Sequence, residues 1–194
     1  MRLLYTARSP FARKVRVIAL EKNIPLELVG EDLQNKSQRL LDANPLGKVP
    51  TLILDNGITV FDSKVICQYL DNLDDKIILI PRGEKERIEV LKWEAFADDL
   101  MVAAINLYME KVRHPQDFHK DFTVTLEKNI ILAYAYIENN LDQLKNFNLA
   151  SIAIASAIGY IHFRLPALKV QGDLSQWFES ISKRPSMTQT IPAT

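Results

Sequence analysis

The first third of the chain alternates short apolar runs of strand length with helical patterns, whereas the remainder shows helical spacing throughout. Near the N-terminus, strand-like runs at residues 2–6 and 26–29 flank a helical pattern that ends at about Lys22. A strand, a helix and a second strand in such a compact order are typical of a βαβ unit. We therefore predict that the first two strands are parallel.

A hairpin and two short helices complete this first part. Apolar runs at 51–54 and 59–61 flank Asp55-Asn56-Gly57, the residue types of a tight hairpin turn. A short helix is predicted at 37–43, and Asp62-Ser63 has the residue types that cap the next helix. The order β-α-β-α-β-β-α predicts a thioredoxin-like arrangement.

Strand signals disappear after the stretch 73–82, which Asp74-Asp75 and Pro81 make the most linker-like part of the chain. The helical spacing beyond it predicts one long helix and three shorter ones, at residues 84–110, 121–141, 148–163 and 174–183. We therefore predict three parts: an α/β thioredoxin-like N-terminal domain at 1–75, a linker at 76–83 and an all-α C-terminal helical domain at 84–194.

Composition and charge narrow the classes of function. Hydrophobic residues make up 47% of 194 residues, which suffices for a packed core. Lys plus Arg and Asp plus Glu number 24 each, so no net field favours nucleic acid or a membrane. One cysteine, Cys67, and three histidines without ligand spacing predict no disulfide and no metal. Without a signal peptide or a long apolar run, we expect a cytoplasmic protein.

The stretch from Asn44 to Leu54 carries the first functional signal. Within it, Pro50 stands at the entrance of a strand, where it has no amide hydrogen to donate. Either this strand lies at a sheet edge or the Val49–Pro50 bond is cis. In both cases the backbone groups of Val49 stay unpaired, and an extended peptide can bind there as an added strand beside Lys48.

Four motifs lie in order along nearly the whole chain: Ser9-Pro-Phe-Ala-Arg-Lys-Val-Arg16, Asn44-Pro-Leu-Gly-Lys-Val-Pro50, Phe61-Asp62-Ser63 and Arg184-Pro-Ser186. Together they resemble the bacterial cytosolic glutathione S-transferases. The resemblance implies the glutathione transferase fold, glutathione as cosubstrate, a homodimer and transfer to a small hydrophobic electrophile. It also implies that the Val49–Pro50 bond is cis and that Val49 pairs with the cysteinyl residue of glutathione.

Ser9 stands at the predicted start of the first helix, where unpaired N–H groups and the helix dipole favour negative charge. A hydroxyl that donates to a thiol sulfur lowers its pKa from the usual value of about 8.5. The resemblance assigns this catalytic role at the glutathione thiol to Ser9. Taken alone, Ser9 is more typical of a simple N-cap. Tyr5 is the alternative, because other transferase classes place a catalytic tyrosine at the end of the first strand.

The resemblance also implies roles for residues around this centre. Asp62 and Ser63 are expected to hold the γ-glutamyl end of glutathione, and Lys36 and Lys48 to pair with its glycyl carboxylate. Asp99, on the long helix, matches a position that reaches across the dimer in some classes. A second substrate is expected between the domains, against Phe11, Ala104 and Tyr108, although the spacing of these residues fits a packed core equally well.

Two further functions are compatible with such a fold. One is a non-catalytic, transferase-like protein-interaction module, which often lacks the serine or the Asp-Ser pair that this chain retains. The other is a glutathione-dependent isomerase, for which a serine- and cysteine-rich first loop is expected. Ala7-Arg8-Ser9-Pro10 does not fit that pattern. Serine at position 9 in place of cysteine also argues against a thiol–disulfide reductase.

Overall fold

The structure is a computed structural model and describes residues 1–193. The strands are β1 (Arg2–Tyr5), β2 (Glu27–Gly30), β3 (Thr51–Ile53) and β4 (Thr59–Val60). The helices are α1 (Pro10–Glu21), α2 (Gln38–Ala43), α3 (Ser63–Asp71), α4 (Glu84–Arg113), α5 (Lys120–Glu138), α6 (Leu149–Arg164), α7 (Gly172–Ser182) and α8 (Pro185–Thr188). The predicted order β-α-β-α-β-β-α, followed by a helical part, is confirmed.

The structure contains short helical elements that the sequence pattern did not predict. They are α8 and two 3₁₀ turns, Leu141–Leu144 and Pro166–Leu168. Elements of three or four residues are too short to repeat an apolar position at helical spacing, so the pattern carries no signal for them. The helix predicted to reach residue 141 ends at Glu138, and the chain continues as a 3₁₀ turn.

The four strands form one sheet in the order β2-β1-β3-β4. As predicted, β1 and β2 are parallel; β3 is antiparallel to both β1 and β4. Leu4 pairs with Thr51, so the end of β1 lies beside the start of β3. Leu52 pairs with Val60, so the end of β4 lies at the same edge. The segments after β1, before β3 and after β4 therefore meet at one end of the strands. We call this end the sheet edge, although β3 itself lies inside the sheet, between β1 and β4.

Helix α6 forms the centre of the helical part and packs against α4 and α1. Every residue from Leu149 to Ile161 is buried, which accounts for its lack of a polar face. A capping box starts the helix: Asn148 Oδ1 accepts from the backbone N–H of Ala150 at 3.0 Å, and Ser151 Oγ accepts from the backbone N–H of Asn148 at 3.0 Å. Two of the orphan amides at this buried helix end are thereby satisfied.

Residues 72–83 join α3 to α4 without a helix or strand. The buried Lys22, which follows α1, donates from Nζ to the backbone carbonyl oxygens of Asp74 at 3.0 Å and Ile77 at 2.5 Å. The Asp71 carboxylate accepts the backbone N–H of Leu79 at 2.8 Å. These contacts fasten the connection to α1 and α3. The division into domains at residues 75 and 83 stays a prediction.

The half-buried His162 predicts a dependence of stability on pH. Its Nε2 accepts the backbone N–H of Val170 at 3.1 Å. Burial, together with the charge of Lys169, holds the pKa of His162 below its ordinary value of 6.5. As pH falls through 6.5, the unfolded chain takes up this proton first, so the free energy of unfolding decreases. Urea unfolding between pH 7 and pH 5 measures this loss.

In the variant His162→Gln, the side-chain carbonyl can still accept the Val170 N–H but does not titrate. We expect the loss of stability below pH 6.5 to be smaller in this variant than in the wild type. Parallel curves for the two proteins would show that His162 does not contribute to the pH dependence.

Candidate functional site

Ser9 lies at the sheet edge just described, where the loop after β1 enters α1. It is the N-cap of α1: its Oγ accepts the backbone N–H of Ala12 at 3.2 Å, and Pro10 occupies the first helical position. The side chain is half-buried. Because the cap uses the oxygen of Ser9 as an acceptor, the hydroxyl hydrogen remains available to a partner beyond the helix.

Val49 precedes β3 at the same edge, and its bond to Pro50 is cis, as the resemblance implies. Among residues 1–193, neither the backbone N–H nor the C=O of Val49 has a hydrogen-bond partner. The Lys48 carbonyl is held by two donors, Asn44 Nδ2 at 3.2 Å and Thr51 Oγ1 at 2.9 Å. The loop is thus positioned by its own side chains, and the backbone of Val49 remains available for pairing.

Helix α3 begins at the third segment of this edge. Asp62 is its N-cap and accepts the backbone N–H of Lys64 at 3.0 Å. Ser63, the first helical residue, is 3% exposed, whereas Asp62 is exposed. The cap satisfies one of the amides at this helix end, so others remain as possible donors to an anion. Ser9, Val49 and the Asp62-Ser63 pair are therefore brought together by the sheet register.

The two predicted lysines and Tyr5 lie around this centre. Lys36 crosses over Gly47 and donates from Nζ to the carbonyl oxygen of Leu46 at 3.3 Å. Lys48 is exposed beside Val49. Tyr5 is the last residue of β1 and packs under a guanidinium, with Cζ of Arg16 5.0 Å from its ring centroid. This contact gives Tyr5 a packing role of its own.

The residues predicted for a second substrate are placed differently from one another. Phe11 and Tyr108 are half-buried, and the Tyr108 hydroxyl accepts a hydrogen bond from Arg164 at 3.2 Å. Ala104 is fully buried in α4, so it has no surface to offer a substrate. Asp99, predicted to act across a dimer, is exposed on α4.

A buried ion cluster between α1 and α4 was missed by the sequence analysis. The Lys14 side chain has no exposed surface, and its Nζ donates to Glu94 Oε1 and Asp98 Oδ1, both at 2.8 Å. Lys64, next to Ser63, approaches the other oxygen of Asp98 at 3.6 Å. The cluster therefore ties the start of α3 and the first turns of α1 to α4.

The charge state of this cluster follows from its surroundings. Burial alone would lower the pKa of Lys14, but the acidic groups around it, Glu94 and Asp98 among them, hold it above its ordinary value. Burial raises the pKa of the neighbouring Cys67 thiol, so this thiol stays protonated. The available sequence signal was Lys14 itself, a charge between the apolar positions Phe11 and Ile18 on one helix face.

Two surface cavities lie away from these residues. One, of about 120 Å³, is lined by Lys92, Trp93, Phe96 and Tyr136. The other, of about 530 Å³, lies between α5 and the start of α7. Within residues 1–193, no group of three or more His, Cys, Asp or Glu side chains is placed to hold a metal ion. No helix in this part of the chain is long and apolar enough to cross a membrane.

Comparison with known proteins identifies the family. The glutathione S-transferase N-terminal domain family matches residues 8–73. Over its full length, the chain is 32% identical to an uncharacterized GST-like protein of Escherichia coli (strain K12), with 99% of this chain and 98% of the relative aligned. The chain belongs to the glutathione S-transferase family.

Solved structures of family members match this one along the whole chain. A glutathione transferase family member from Pseudomonas fluorescens Pf-5, with bound glutathione, has a TM-score of 0.93 and 34% identity, covering 100% of this chain and 99% of that one. A structure from the same organism with bound S-(propanoic acid)-glutathione has a TM-score of 0.86 and 33% identity, covering 100% of both chains. The predicted glutathione transferase fold is thus confirmed.

The buried cluster predicts that Lys14→Met will be strongly destabilising. The change leaves the buried carboxylates of Glu94 and Asp98 without their ammonium partner, a loss of about 3–5 kcal/mol in the free energy of unfolding. The matched control is Lys64→Met, which removes a lysine whose side chain is 42% exposed. We expect it to cost less than about 1 kcal/mol. Urea unfolding at pH 7 measures both, and equal effects would contradict this assignment.

Proposed function

We propose that this protein is a glutathione transferase, which binds glutathione at the sheet edge and activates its thiol for attack on a small hydrophobic electrophile. One observation carries the proposal: Ser9, the unpaired backbone of Val49 and the start of α3 meet at that edge. A tripeptide has a thiol, a backbone and charged ends that fit these groups. Bound glutathione in the relative from Pseudomonas fluorescens supports the same ligand here.

In this proposal glutathione lies extended along the edge. The backbone of Val49, after the cis bond to Pro50, pairs with the cysteinyl residue as an added strand does. Ser63 and the unpaired amides at the start of α3 receive the γ-glutamyl carboxylate, and Asp62 takes the neighbouring ammonium. Lys48 and Lys36 supply positive charge for the glycyl carboxylate.

The chemistry resides in the thiol of the ligand. Ser9 donates its hydroxyl hydrogen to the sulfur, and the dipole of α1 favours negative charge there. Each unit by which the thiol pKa falls corresponds to about 1.4 kcal/mol of thiolate stabilisation. The thiolate then attacks an electrophile held near Phe11 and Tyr108. A relative that binds S-(propanoic acid)-glutathione, a glutathione thioether, supports this type of product.

We also propose that the protein is a cytoplasmic homodimer. The outer face of α4 carries Ile88, Ala95, Asp99 and Val102 at helical spacing, all exposed. Val65 on α3 is also exposed, at 50%. Apolar side chains repeated along one helix face favour contact with a second helix surface. In such a dimer Asp99 would reach the glutathione site of the partner.

Calorimetric titration tests the glutathione proposal. Wild type, Ser9→Ala and Ser63→Ala are titrated with glutathione from pH 6 to pH 8, in buffers of different ionisation enthalpy. We expect wild-type binding in the micromolar to low millimolar range with release of a proton. Ser9→Ala should release less, because the thiolate loses its donor, while Ser63→Ala should weaken binding with the proton release per bound ligand retained.

Two results would count against this assignment. Equal proton release by wild type and Ser9→Ala would remove the catalytic role of Ser9 and direct attention to Tyr5. A wild-type protein that does not bind glutathione would overturn the transferase proposal and leave a protein-interaction module as the function to test.

The dimer proposal predicts the effect of a charge on the exposed face of α4. Val102→Glu should shift the protein from twice the mass of the 22.2 kDa chain towards the mass of one chain, because a carboxylate would be buried at the interface. Ile191→Glu is the control, since Ile191 is also exposed, at 62%, but lies near the C-terminus. Sedimentation velocity measures both, and a monomeric wild type would refute the dimer.

A further inference from the structure

The guanidinium of Arg164, at the end of α6, lies over two aromatic rings. Its Cζ lies 4.8 Å from the ring centroid of Tyr108 and 4.3 Å from that of Phe163. One of its nitrogens, Nη1, donates to the Tyr108 hydroxyl at 3.2 Å. Stacking and this hydrogen bond set the orientation of the guanidinium, while its other N–H groups keep the planar arrangement that matches a carboxylate.

Tyr160 and Arg8 complete this cluster. Tyr160 lies four residues before Arg164, so both side chains are on one face of α6. Burial raises the pKa of Tyr160 to about 12, while the charges of Arg164 and Arg8 act in the opposite direction. Tyr160 is buried, and the exposed Arg8 lies on the loop that precedes α1. We call Arg8, Tyr108, Tyr160 and Arg164 the arginine–tyrosine cluster.

The cluster lies beside the proposed thiol site. Arg8 immediately precedes Ser9, the N-cap of α1. Gly159, next to Tyr160, is in close contact with the guanidinium of Arg13 from the first turns of α1. The start of α1 and this part of α6 thus face each other. The position coincides with the Tyr108 side of the cleft assigned above to the second substrate.

The two arginines of the cluster also lack a carboxylate partner. Elsewhere in the fold, Arg39, Arg82 and Arg184 pair with Asp or Glu side chains at 2.7–3.0 Å. Within residues 1–193, no Asp or Glu oxygen lies within 4 Å of a side-chain nitrogen of Arg8 or Arg164. Two guanidiniums without a carboxylate within 4 Å, of which that of Arg8 is exposed, and two phenols are therefore found where only apolar groups were expected for the second substrate.

We propose that the electrophile carries a carboxylate, which the guanidinium of Arg164 binds, with Arg8 supplying a second positive charge. This inference rests on the proposed transferase function and specifies the substrate class of the same site. Arg164 is then the specificity-determining residue for the acid group. The aromatic rings of Phe11 and Tyr108 contact the apolar part of the same molecule.

An α,β-unsaturated acid illustrates the reaction. The glutathione sulfur forms a bond to the β-carbon, and the π-electron pair of the double bond moves to the α-carbon, where it is delocalised onto the carboxylate. Water returns to the α-carbon the proton that the thiol lost on ionisation, so the sum is addition of a thiol across a double bond. Negative charge grows on the carboxylate during attack, and a guanidinium in contact with it lowers the barrier.

The test uses two conjugates that differ in one group and do not depend on turnover. S-(2-carboxyethyl)glutathione carries the acid, and S-(2-carbamoylethyl)glutathione carries the neutral amide of the same shape. Each is titrated calorimetrically into wild type, Arg164→Gln, Arg164→Lys and Arg8→Gln, with glutathione itself as reference. Arg113→Gln is the matched control, because Arg113 ends α4, five residues after Tyr108, and is exposed.

We expect the wild type to bind the acid about tenfold more tightly than the amide, as for one charge-assisted hydrogen-bonded pair. In Arg164→Gln this preference should fall to about twofold or less, and Arg164→Lys should retain part of it because the charge remains. Arg8→Gln should reduce it, and Arg113→Gln should leave it intact. Affinity for glutathione should stay within about twofold of wild type in every variant.

Equal affinities of the acid and the amide in a wild type that binds glutathione would overturn this inference and leave the transferase proposal standing. Weaker glutathione binding in Arg164→Gln, with the acid preference retained, would also overturn it, because Arg164 would then contact glutathione itself. A loss of acid preference in Arg113→Gln as large as in Arg164→Gln would exclude a local contact. Failure of glutathione to bind would overturn both proposals together.

Discussion

The antiparallel pairing of β3 with β1 is the constraint on which the candidate site depends. Backbone hydrogen bonds set that pairing, and the pairing of Leu4 with Thr51 determines which chain ends become neighbours. Leu52 packs in the main core and Ile53 against the smaller cluster around Leu40, so slipping the register by one residue would exchange these two faces of β3. Packing on both faces therefore enforces the register. Ser9 and Val49 are 40 positions apart in the sequence, yet each lies next to a paired strand end at the same edge. The sheet register therefore brings the residues of the candidate site together.

The buried ion cluster of Lys14, Glu94 and Asp98 is a second, electrostatic constraint on the position of α1. Hydrophobic packing is tolerant of small displacements, whereas the buried ammonium of Lys14 requires two carboxylates at hydrogen-bonding distance. Since those carboxylates belong to α4 and the ammonium to α1, the cluster sets the position of the helical part relative to the loop that holds Ser9. The arginine–tyrosine cluster joins α4 and α6 through Arg164 and Tyr108. Specific polar contacts thus fix α4 against both α1 and α6.

Local signals in the sequence were enough to predict the main helices and strands and their order along the chain. The hairpin residues around Gly57 and the capping pair at the start of α3 act within four or five residues, and the structure contains both features. Lys14 and Glu94 are 80 positions apart in the sequence, so no local pattern predicts their contact. The direction in which each residue points from its helix also decides its environment: Asp98 is buried in the ion cluster, whereas its neighbour Asp99 is exposed. The sequence led us to expect Ala104 in a substrate pocket, but the residue is buried in the core. Apolar spacing along a helix does not separate a core face from a face that lines a pocket.

The two roles of Ser9, as the N-cap of α1 and as the proposed donor to a thiolate, limit which residues can replace it. Aspartate caps helices about as well as serine and suits the helix dipole better, so α1 alone would accept it. An ionised aspartate, however, has no hydrogen to donate and would set a negative charge where the site is proposed to hold a thiolate. Helix stability and anion binding therefore impose opposite demands on one side chain. Serine meets both because its oxygen accepts from the helix while its hydrogen is directed elsewhere, so a variant selected for heat stability alone is expected to lose the site first.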